Sequence, residues 1–152
     1  MPARHRSVKG TSDLEHEAFL GLLRLSTSLN QDVAELLKAH GLSAPQFNVL
    51  RILRAAGDAG LTCGEVAARL ITKDSDITRL LDRLERQGLV ARGREPDDRR
   101  IVVTRLTARG TKVLAELDAP IAELHRSQLG HLGARKLQAL VRLLDEASTR
   151  TG

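Results

Sequence analysis

Hydrophobic residues recur every three or four positions through most of the chain, which is the spacing of one buried helix face. The first such series begins beside Ser12 and Glu15, which have the spacing of a capping box, and continues until Gly41. This pattern predicts one long first helix. Its apolar positions are Leu14, Ala18, Phe19, Leu22, Leu25, Leu29, Val33 and Leu36.

Two more capping boxes divide the middle of the chain. Ser43 with Gln46 opens a second apolar series, and Thr62 with Glu65 opens a short third one. In each pair, the two side chains satisfy backbone N–H groups that a helix start leaves unpaired, so the pattern predicts two helix starts. The third helix is expected to end near Ile71.

A fourth helix is predicted from about Asp74 to Gln87, with Gly88 as its left-handed C-terminal stop. Its inward face consists of Ile77, Leu80, Leu81 and Leu84. The residues turned outward are Ser75, Asp76, Thr78, Arg79, Asp82, Arg83 and Arg86. Two short helices joined by a tight turn, the second with a polar outward face, are typical of a helix-turn-helix. A solvated helix face without a partner is the alternative interpretation.

The hydrophobic period changes from helical to β-type directly after Gly88. Two short β-prone runs, 89–90 and 101–103, flank a charged loop that contains Gly93, Pro96 and Asp98. This pattern predicts a hairpin with a charged tip.

Two further amphipathic helices are predicted in the C-terminal part of the chain. Thr107 is the expected N-cap of the first, which Pro120 should bend or interrupt. The apolar positions of the last helix are Leu137, Leu140, Val141, Leu144 and Ala147. The predicted fold class is therefore mainly α with a small β-hairpin.

Length and composition are typical of one globular domain, with 152 residues, of which 41% are hydrophobic and 28% charged. The leading residues are basic without the apolar run of a signal peptide, and no stretch reaches the roughly 18 apolar residues of a membrane span. Cys63 is the single cysteine, so no internal disulfide can form. We therefore expect a cytoplasmic protein with no membrane partner. A net charge of +5 favours an anionic partner such as nucleic acid.

Motifs for catalysis or metal binding are missing from the sequence. It contains no Gly-rich phosphate loop, nucleophile elbow or paired-carboxylate spacing, so no enzyme activity is predicted. The five histidines are scattered without the spacing of a metal site. Neither a metal nor another cofactor is expected.

Two segments carry a resemblance to a known family. Residues 76–85, which lead into Gly88-Leu89-Val90, resemble the recognition helix and the wing start of the MarR family. Asp98-Arg99-Arg100 and the later run 106–110 resemble that family's wing signature and its following helix start. The resemblance covers roughly residues 12 to 148. Asp76 departs from the pattern, because many relatives have a small hydroxyl residue there, and this bears on base preference.

The resemblance implies a domain organisation. It assigns residues 43–106 to a winged helix-turn-helix lobe and residues 12–41 and 107–148 to dimerisation helices, within one domain of residues 12–152. Residues 1–11 are expected to be a flexible N-terminal segment. The apolar residues of the terminal helices exceed what one small lobe could cover, which also favours a homodimer over a monomer that covers its own core.

The outward residues near the start of the fourth helix are the predicted base readers. A helix fits the major groove of B-DNA, and its N-terminal side chains reach base edges there. Arg79 is expected to bond a guanine in bidentate fashion, and Asp76 could accept a hydrogen bond from a cytosine amino group. Thr78 could bond a phosphate or touch a thymine methyl, and Ser75 lies at the same end.

Arg83 and Arg86 follow one and two turns along the same face. Phosphate contact is the expected role, with Arg83 the better candidate, but it competes with an ion pair between Arg86 and Asp82 four residues earlier.

The predicted wing residues are Asp98, Arg99 and Arg100. Arg100 matches the family's position for an arginine that enters the minor groove, where a narrow A·T-rich stretch has enhanced negative potential. Asp98 is expected to hold the Arg100 guanidinium in a fixed fork. A turn-forming aspartate beside a solvent-facing arginine is the alternative.

The predicted function is sequence-specific regulation of transcription, as a repressor that binds a pseudo-palindromic operator in double-stranded DNA as a homodimer. The resemblance implies release by a small-molecule effector, often an aromatic acid, but the sequence does not indicate which one. One alternative is an oxidant sensor at Cys63, whose place in the first turn of a helix favours thiolate. Another is a winged-helix module that binds a protein, although the charged outward face disfavours it.

Overall fold

The computed structural model describes residues 11–71 and 76–149, with side chains from residue 13 onward in the first helix. It contains six helices and one two-stranded sheet within these ranges, together with short 3₁₀ turns at Gly57–Ala59 and Gly130–Leu132. The elements are α1 (Thr11–Lys38), α2 (Ala44–Ala56), α3 (Cys63–Arg69), α4 (Ile77–Arg86), β1 (Val90–Arg94), β2 (Val102–Leu106), α5 (Ala108–Leu129) and α6 (Gly133–Thr149).

Hydrogen bonds at the predicted helix starts confirm two capping boxes. The Ser43 hydroxyl accepts from the Gln46 N–H at 3.3 Å, and the Gln46 amide oxygen accepts from the Ser43 N–H at 2.9 Å. Thr62 and Glu65 make the same reciprocal pair at 3.2 and 2.8 Å. The capping box predicted at Ser12 lies outside the described side chains.

Thr107 caps α5 as predicted and also ties this helix to the end of α4. Its hydroxyl accepts from the Gly110 N–H at 3.1 Å and donates to the Gly88 carbonyl at 2.6 Å. A single side chain therefore joins the turn after α4 to the start of α5.

The predicted start of α4 was wrong, whereas the ends of α1 and α3 lie within three residues of their predicted positions. α1 ends at Lys38, three residues before Gly41, and α3 ends at Arg69, two residues before Ile71. α4 begins at Ile77, not near Asp74, because Asp76 is non-helical and serves as its N-cap.

Pro120 lies inside α5 and does not interrupt it, so that alternative was wrong. A proline removes one helix hydrogen bond, but Leu117 and Ile121 on either side of it are buried in the core. Packing of these neighbours offsets the local cost and keeps the helix continuous.

The hairpin is antiparallel and is attached to the connection between α2 and α3. Val90 pairs with Leu106 and Arg94 with Val102 along the register. Leu61 exchanges two backbone hydrogen bonds with Thr104 of β2, at 3.0 and 2.7 Å. The hairpin is therefore attached to the rest of the lobe through the middle of β2 as well as through its ends.

The core lies where α1, α2, α4 and α5 meet, and it confirms the predicted inward face of α4. Leu80, Leu81 and Leu84 are buried, and Ile77 packs against them at the edge. Their partners include the buried residues Leu37, Val49, Leu50, Leu53, Val66, Leu114 and Leu117.

The two terminal helices carry apolar surface that this single chain leaves exposed. On α1, Leu14, Phe19 and Leu23 are each more than half exposed. On α6, Val141 and Leu143 are more than half exposed, and none of this helix's described residues is buried. Among the described helices, none is long and apolar enough to cross a membrane.

Gly110 and Gly64 provide a matched test of this packing. A Cβ at Gly110 would lie 2.1 Å from the Leu89 carbonyl oxygen, whereas a Cβ at Gly64 would meet nothing within 4 Å. We expect Gly110→Ala to lower the free energy of unfolding by about 1–3 kcal/mol or more, because a backbone atom must shift. Gly64→Ala should be neutral or stabilising by up to about 1 kcal/mol. Urea unfolding measures both, and a Gly110→Ala variant as stable as the parent would contradict the packing.

Candidate nucleic-acid interface

The N-terminal end of α4 is organised by Asp76. One Asp76 carboxylate oxygen accepts from the Arg79 N–H at 3.1 Å, and the other lies 3.4 Å from Arg79 Nε. Asp76, predicted as a reader of cytosine, therefore already caps the helix and orients the neighbouring arginine. Arg79 remains well exposed on the outward face.

The outward face of α4 carries the predicted arginines in the predicted direction. Thr78, Arg79, Arg83 and Arg86 are all exposed. Arg83 and Arg86 form no ion pair with any residue in the described ranges. Ser75, the remaining predicted residue of this group, lies outside the described residues.

The ion pair predicted as an alternative between Asp82 and Arg86 was wrong. Asp82 instead lies 2.5 Å from Nη2 of Arg92 on β1. Because strand β1 runs back beside α4, the guanidinium of Arg92 reaches Asp82, and Arg86 is left pointing outward.

Arg92 forms a cluster that sequence reasoning missed. Its Nη2 and Nε also donate to the Glu85 carboxylate at 3.2 and 3.3 Å, and its backbone N–H donates to the same carboxylate at 3.0 Å. These bonds hold the pKa of Glu85 below its ordinary value. The bonds to Glu85 and then Asp82 raise the pKa of Arg92. Both shifts favour the charged forms of Glu85 and Arg92.

At the tip of the hairpin, Asp98 and Arg100 form the predicted fork. Arg100 Nε and Nη2 each donate to one Asp98 oxygen at 3.1 Å, and the Arg100 backbone N–H donates to Asp98 as well. The Arg100 side chain is nevertheless 90% exposed. The fork thus fixes the direction of a guanidinium that solvent, or a ligand, can reach.

Two other arginines of the hairpin make hydrogen bonds that stabilise its conformation. Arg105 donates to the Glu95 carboxylate at 2.8 Å and to the Asp58 carbonyl at 2.7 Å, which ties β2 to the turn after α2. Arg94 donates to the carbonyl of Arg99 across the tip. Arg99 is exposed but contributes its backbone, not its side chain, to this contact.

Cys63 is the first residue of α3, where it is half-buried and packs at the edge of the core. No group of histidine, cysteine and carboxylate side chains that could hold a metal occurs within residues 11–71 and 76–149.

The short helix α3, the outward arginines of α4 and the hairpin that follows define a winged helix-turn-helix protein. Hereafter α4 is called the recognition helix, and the hairpin with its loop 95–101 the wing. The model of the MarR family matches residues 40–101.

Individual proteins extend the match over most of the chain. The transcriptional repressor MdtR of Bacillus subtilis is 30% identical over 143 residues, which cover 87% of this chain and 91% of MdtR. A MarR transcription factor from Planctomyces limnophilus is 41% identical, with a TM-score of 0.67 and coverage of 86% and 94%. A mutant MarR from Escherichia coli complexed with operator DNA is 26% identical, with a TM-score of 0.78 and coverage of 91% and 99%. The chain belongs to the MarR family of winged helix-turn-helix transcription regulators.

The fork at the tip generates a prediction about Asp98. The hydrogen bonds from Arg100 hold the Asp98 pKa below its ordinary value, so the pair stays ionised at neutral pH and is lost only as pH falls through this lowered pKa. Arg100→Met should raise the Asp98 pKa toward that of an ordinary aspartate. NMR titration of the carboxyl carbon measures it. Arg99→Met is the matched control and should leave the Asp98 pKa unchanged; an equal rise in both variants would contradict the fork.

Proposed function

We propose that this protein is a sequence-specific DNA-binding repressor that acts as a homodimer on a pseudo-palindromic operator. The observation that carries the proposal is the pair of exposed cationic elements on the recognition helix and at the tip of the wing. The relative that was solved with operator DNA supports it, because it shares the fold over nearly the whole chain.

The recognition helix is assigned to the major groove. We assign Arg79, oriented by Asp76, to a guanine, since a guanidinium matches the two acceptors of that base. Arg83 and Arg86 follow along the helix as phosphate contacts, because nothing described in the chain pairs with them. A face of this charge disfavours the alternative of a module that binds an apolar protein surface.

The wing is assigned to the minor groove of the flanking DNA. Arg100 is exposed and is held in one direction by Asp98, so little side-chain entropy is lost when it binds. Narrow A·T-rich minor grooves attract such an arginine. The carboxylate of Asp98 would also lie near the DNA phosphates, and its negative charge would limit the gain in affinity.

Homodimerisation is assigned to α1 and α6. A single helix-turn-helix reads too few bases for tight binding, whereas two related by a two-fold axis read half-sites about one helical turn apart. The exposed apolar residues of α1 and α6 would be an aggregation liability in a monomer. Sedimentation showing only monomer at micromolar concentration would contradict this assignment.

We expect salt and flanking sequence to separate the contributions of helix and wing. Parent affinity for a duplex from the region upstream of the protein's own gene should fall steeply with salt, because phosphate contacts release counterions. Arg100→Ala should weaken binding about 5- to 150-fold, most strongly on A·T-rich flanks. Arg79→Ala should instead relax the preference at one base pair in each half-site. Fluorescence anisotropy measures all three.

The matched control is Arg109→Ala at the start of α5, which removes one exposed arginine that belongs neither to the recognition helix or the wing nor to α1 or α6. Circular dichroism and sedimentation must first show each variant folded and in the parental oligomeric state. If Arg100→Ala binds A·T- and G·C-flanked duplexes as tightly as the parent, the wing does not read DNA. If the parent binds every duplex equally, sequence-specific regulation is refuted.

A cavity between α2 and the end of α3 supports release by a small acid. It measures about 220 Å³, and Asn48, Arg51, Ile52, Ala55, Arg69 and Ile71 line it. Arg51 lies over the Phe47 ring at 5.6 Å, and neither Arg51 nor Arg69 has an anionic partner in the described ranges. Two free guanidinium groups beside apolar walls suit one carboxylate on a compact apolar body.

Benzoate tests this part of the proposal, with benzamide as a neutral control of the same shape. We expect benzoate, but not benzamide at equal ionic strength, to weaken operator binding at millimolar concentration. Arg51→Met and Arg69→Met should each reduce the effect while leaving the salt dependence of DNA binding unchanged. A lower salt slope in these variants would mean that the arginines contact DNA phosphate instead.

A further inference from the structure

The cluster around Arg92 joins the recognition helix to the wing in a way that covalent geometry alone does not. Between them the chain makes only the turn 87–89. Arg92 then fastens β1 to the helix twice, through its guanidinium on Asp82 and Glu85 and through its backbone N–H on Glu85. Both the side chain and the main chain of β1 are therefore fixed relative to the helix axis.

The other strand of the wing has different anchors. β2 is held by the backbone pair of Leu61 with Thr104 and by the bonds of Arg105 to Asp58 and Glu95. These contacts do not involve the recognition helix. Loss of the Arg92 cluster would thus leave the hairpin folded and attached at its base, but would remove the polar contacts that fix its angle to the helix.

Arg92 is poorly placed to contact DNA itself. Its side chain is only 27% exposed, and its donors are directed at the two carboxylates. Those carboxylates lie on the recognition helix between arginines that face outward. Without Arg92 the helix would present two uncompensated negative charges beside a phosphate backbone, which is a second way in which its loss could weaken binding.

We propose that Arg92 is a positioning residue that fixes the wing against the recognition helix, so that minor-groove and major-groove contacts occur at one spacing. The inference rests on the proposed DNA-binding function. Arg92 would then influence operator preference without contacting a base. A wing held at one angle to the recognition helix distinguishes A·T-rich from G·C-rich flanks, whereas a wing that tilts would bind both about equally well.

A pair of variants separates positioning from charge compensation. Arg92→Met removes the guanidinium but keeps a chain of similar length, leaving Asp82 and Glu85 charged. The triple variant Asp82→Asn, Glu85→Gln, Arg92→Met removes the uncompensated charges as well. If Arg92 positions the wing, both variants should lose the preference for A·T-rich over G·C-rich flanks to within about twofold of unity, and Arg92→Met should bind the A·T-flanked duplex about tenfold more weakly.

Recovery of the parental flank preference in the triple variant would overturn the proposal, because it would reduce Arg92 to charge compensation. An unchanged preference in Arg92→Met would also overturn it. Arg109→Met is the matched control, since it removes one exposed arginine beside the same turn without affecting Asp82 or Glu85. It should keep the flank preference of the parent.

Hydrogen exchange without DNA distinguishes failure of this inference from failure of the proposed function. In Arg92→Met, no guanidinium holds the Glu85 carboxylate beside the backbone N–H of residue 92, so exchange across 90–94 should rise at least about tenfold while helices α2 and α5 keep their protection. Unchanged exchange there would refute the anchoring whatever the DNA results. A parent that shows the anchoring but no specific DNA binding would refute the proposed function instead.

Discussion

Burial of one face of the recognition helix is the constraint on which the rest of the structure depends. Leu80, Leu81 and Leu84 can be inside together because they share one face of a helix with 3.6 residues per turn. Their burial leaves no freedom in the placement of the other side chains of this helix. Arg79, Arg83 and Arg86 must then face solvent, and the carboxylates Asp82 and Glu85 must face the flank where β1 arrives. The direction of each charge follows from the packing of the leucines.

This sorting of charges resolves an apparent difficulty in the sequence. Acidic and basic residues nearly balance between the third helix and the end of the hairpin, so total charge gives that segment no obvious affinity for DNA. In the folded chain, Arg92 and Arg105 are committed to carboxylates within the lobe. The carboxylates in these ion pairs are neutralised, and the arginines that remain exposed make the outward surface positively charged. A segment with nearly balanced charges can therefore still have one positive face.

Sequence reasoning succeeded wherever the interaction is local. The caps at Ser43, Thr62 and Thr107 join residues three apart, and the Asp98–Arg100 fork joins residues two apart, so spacing alone predicts them. The Arg92 cluster was missed because it spans seven to ten residues across a turn, and its geometry depends on how β1 packs beside the helix. The start of the recognition helix was predicted near Asp74 instead of at Ile77, also because local spacing does not decide it. Asp76 suits both a helical first turn and an N-cap, and only its bond to the Arg79 N–H decides between them.

A chain of polar side chains connects the end of α4 with a residue that follows α1. The amide of Gln46, which is buried, donates to Gln87 at the end of α4, and Gln87 in turn donates to the Gly41 carbonyl just after α1. Displacement of Gln87 would leave the buried Gln46 amide nitrogen unpaired, at a cost of about 1–3 kcal/mol, whereas the bond from Gln87 to Gly41 is exposed to solvent. The buried half of this polar chain therefore favours one position of the end of α4 against α2, and the exposed half adds less to its position against α1.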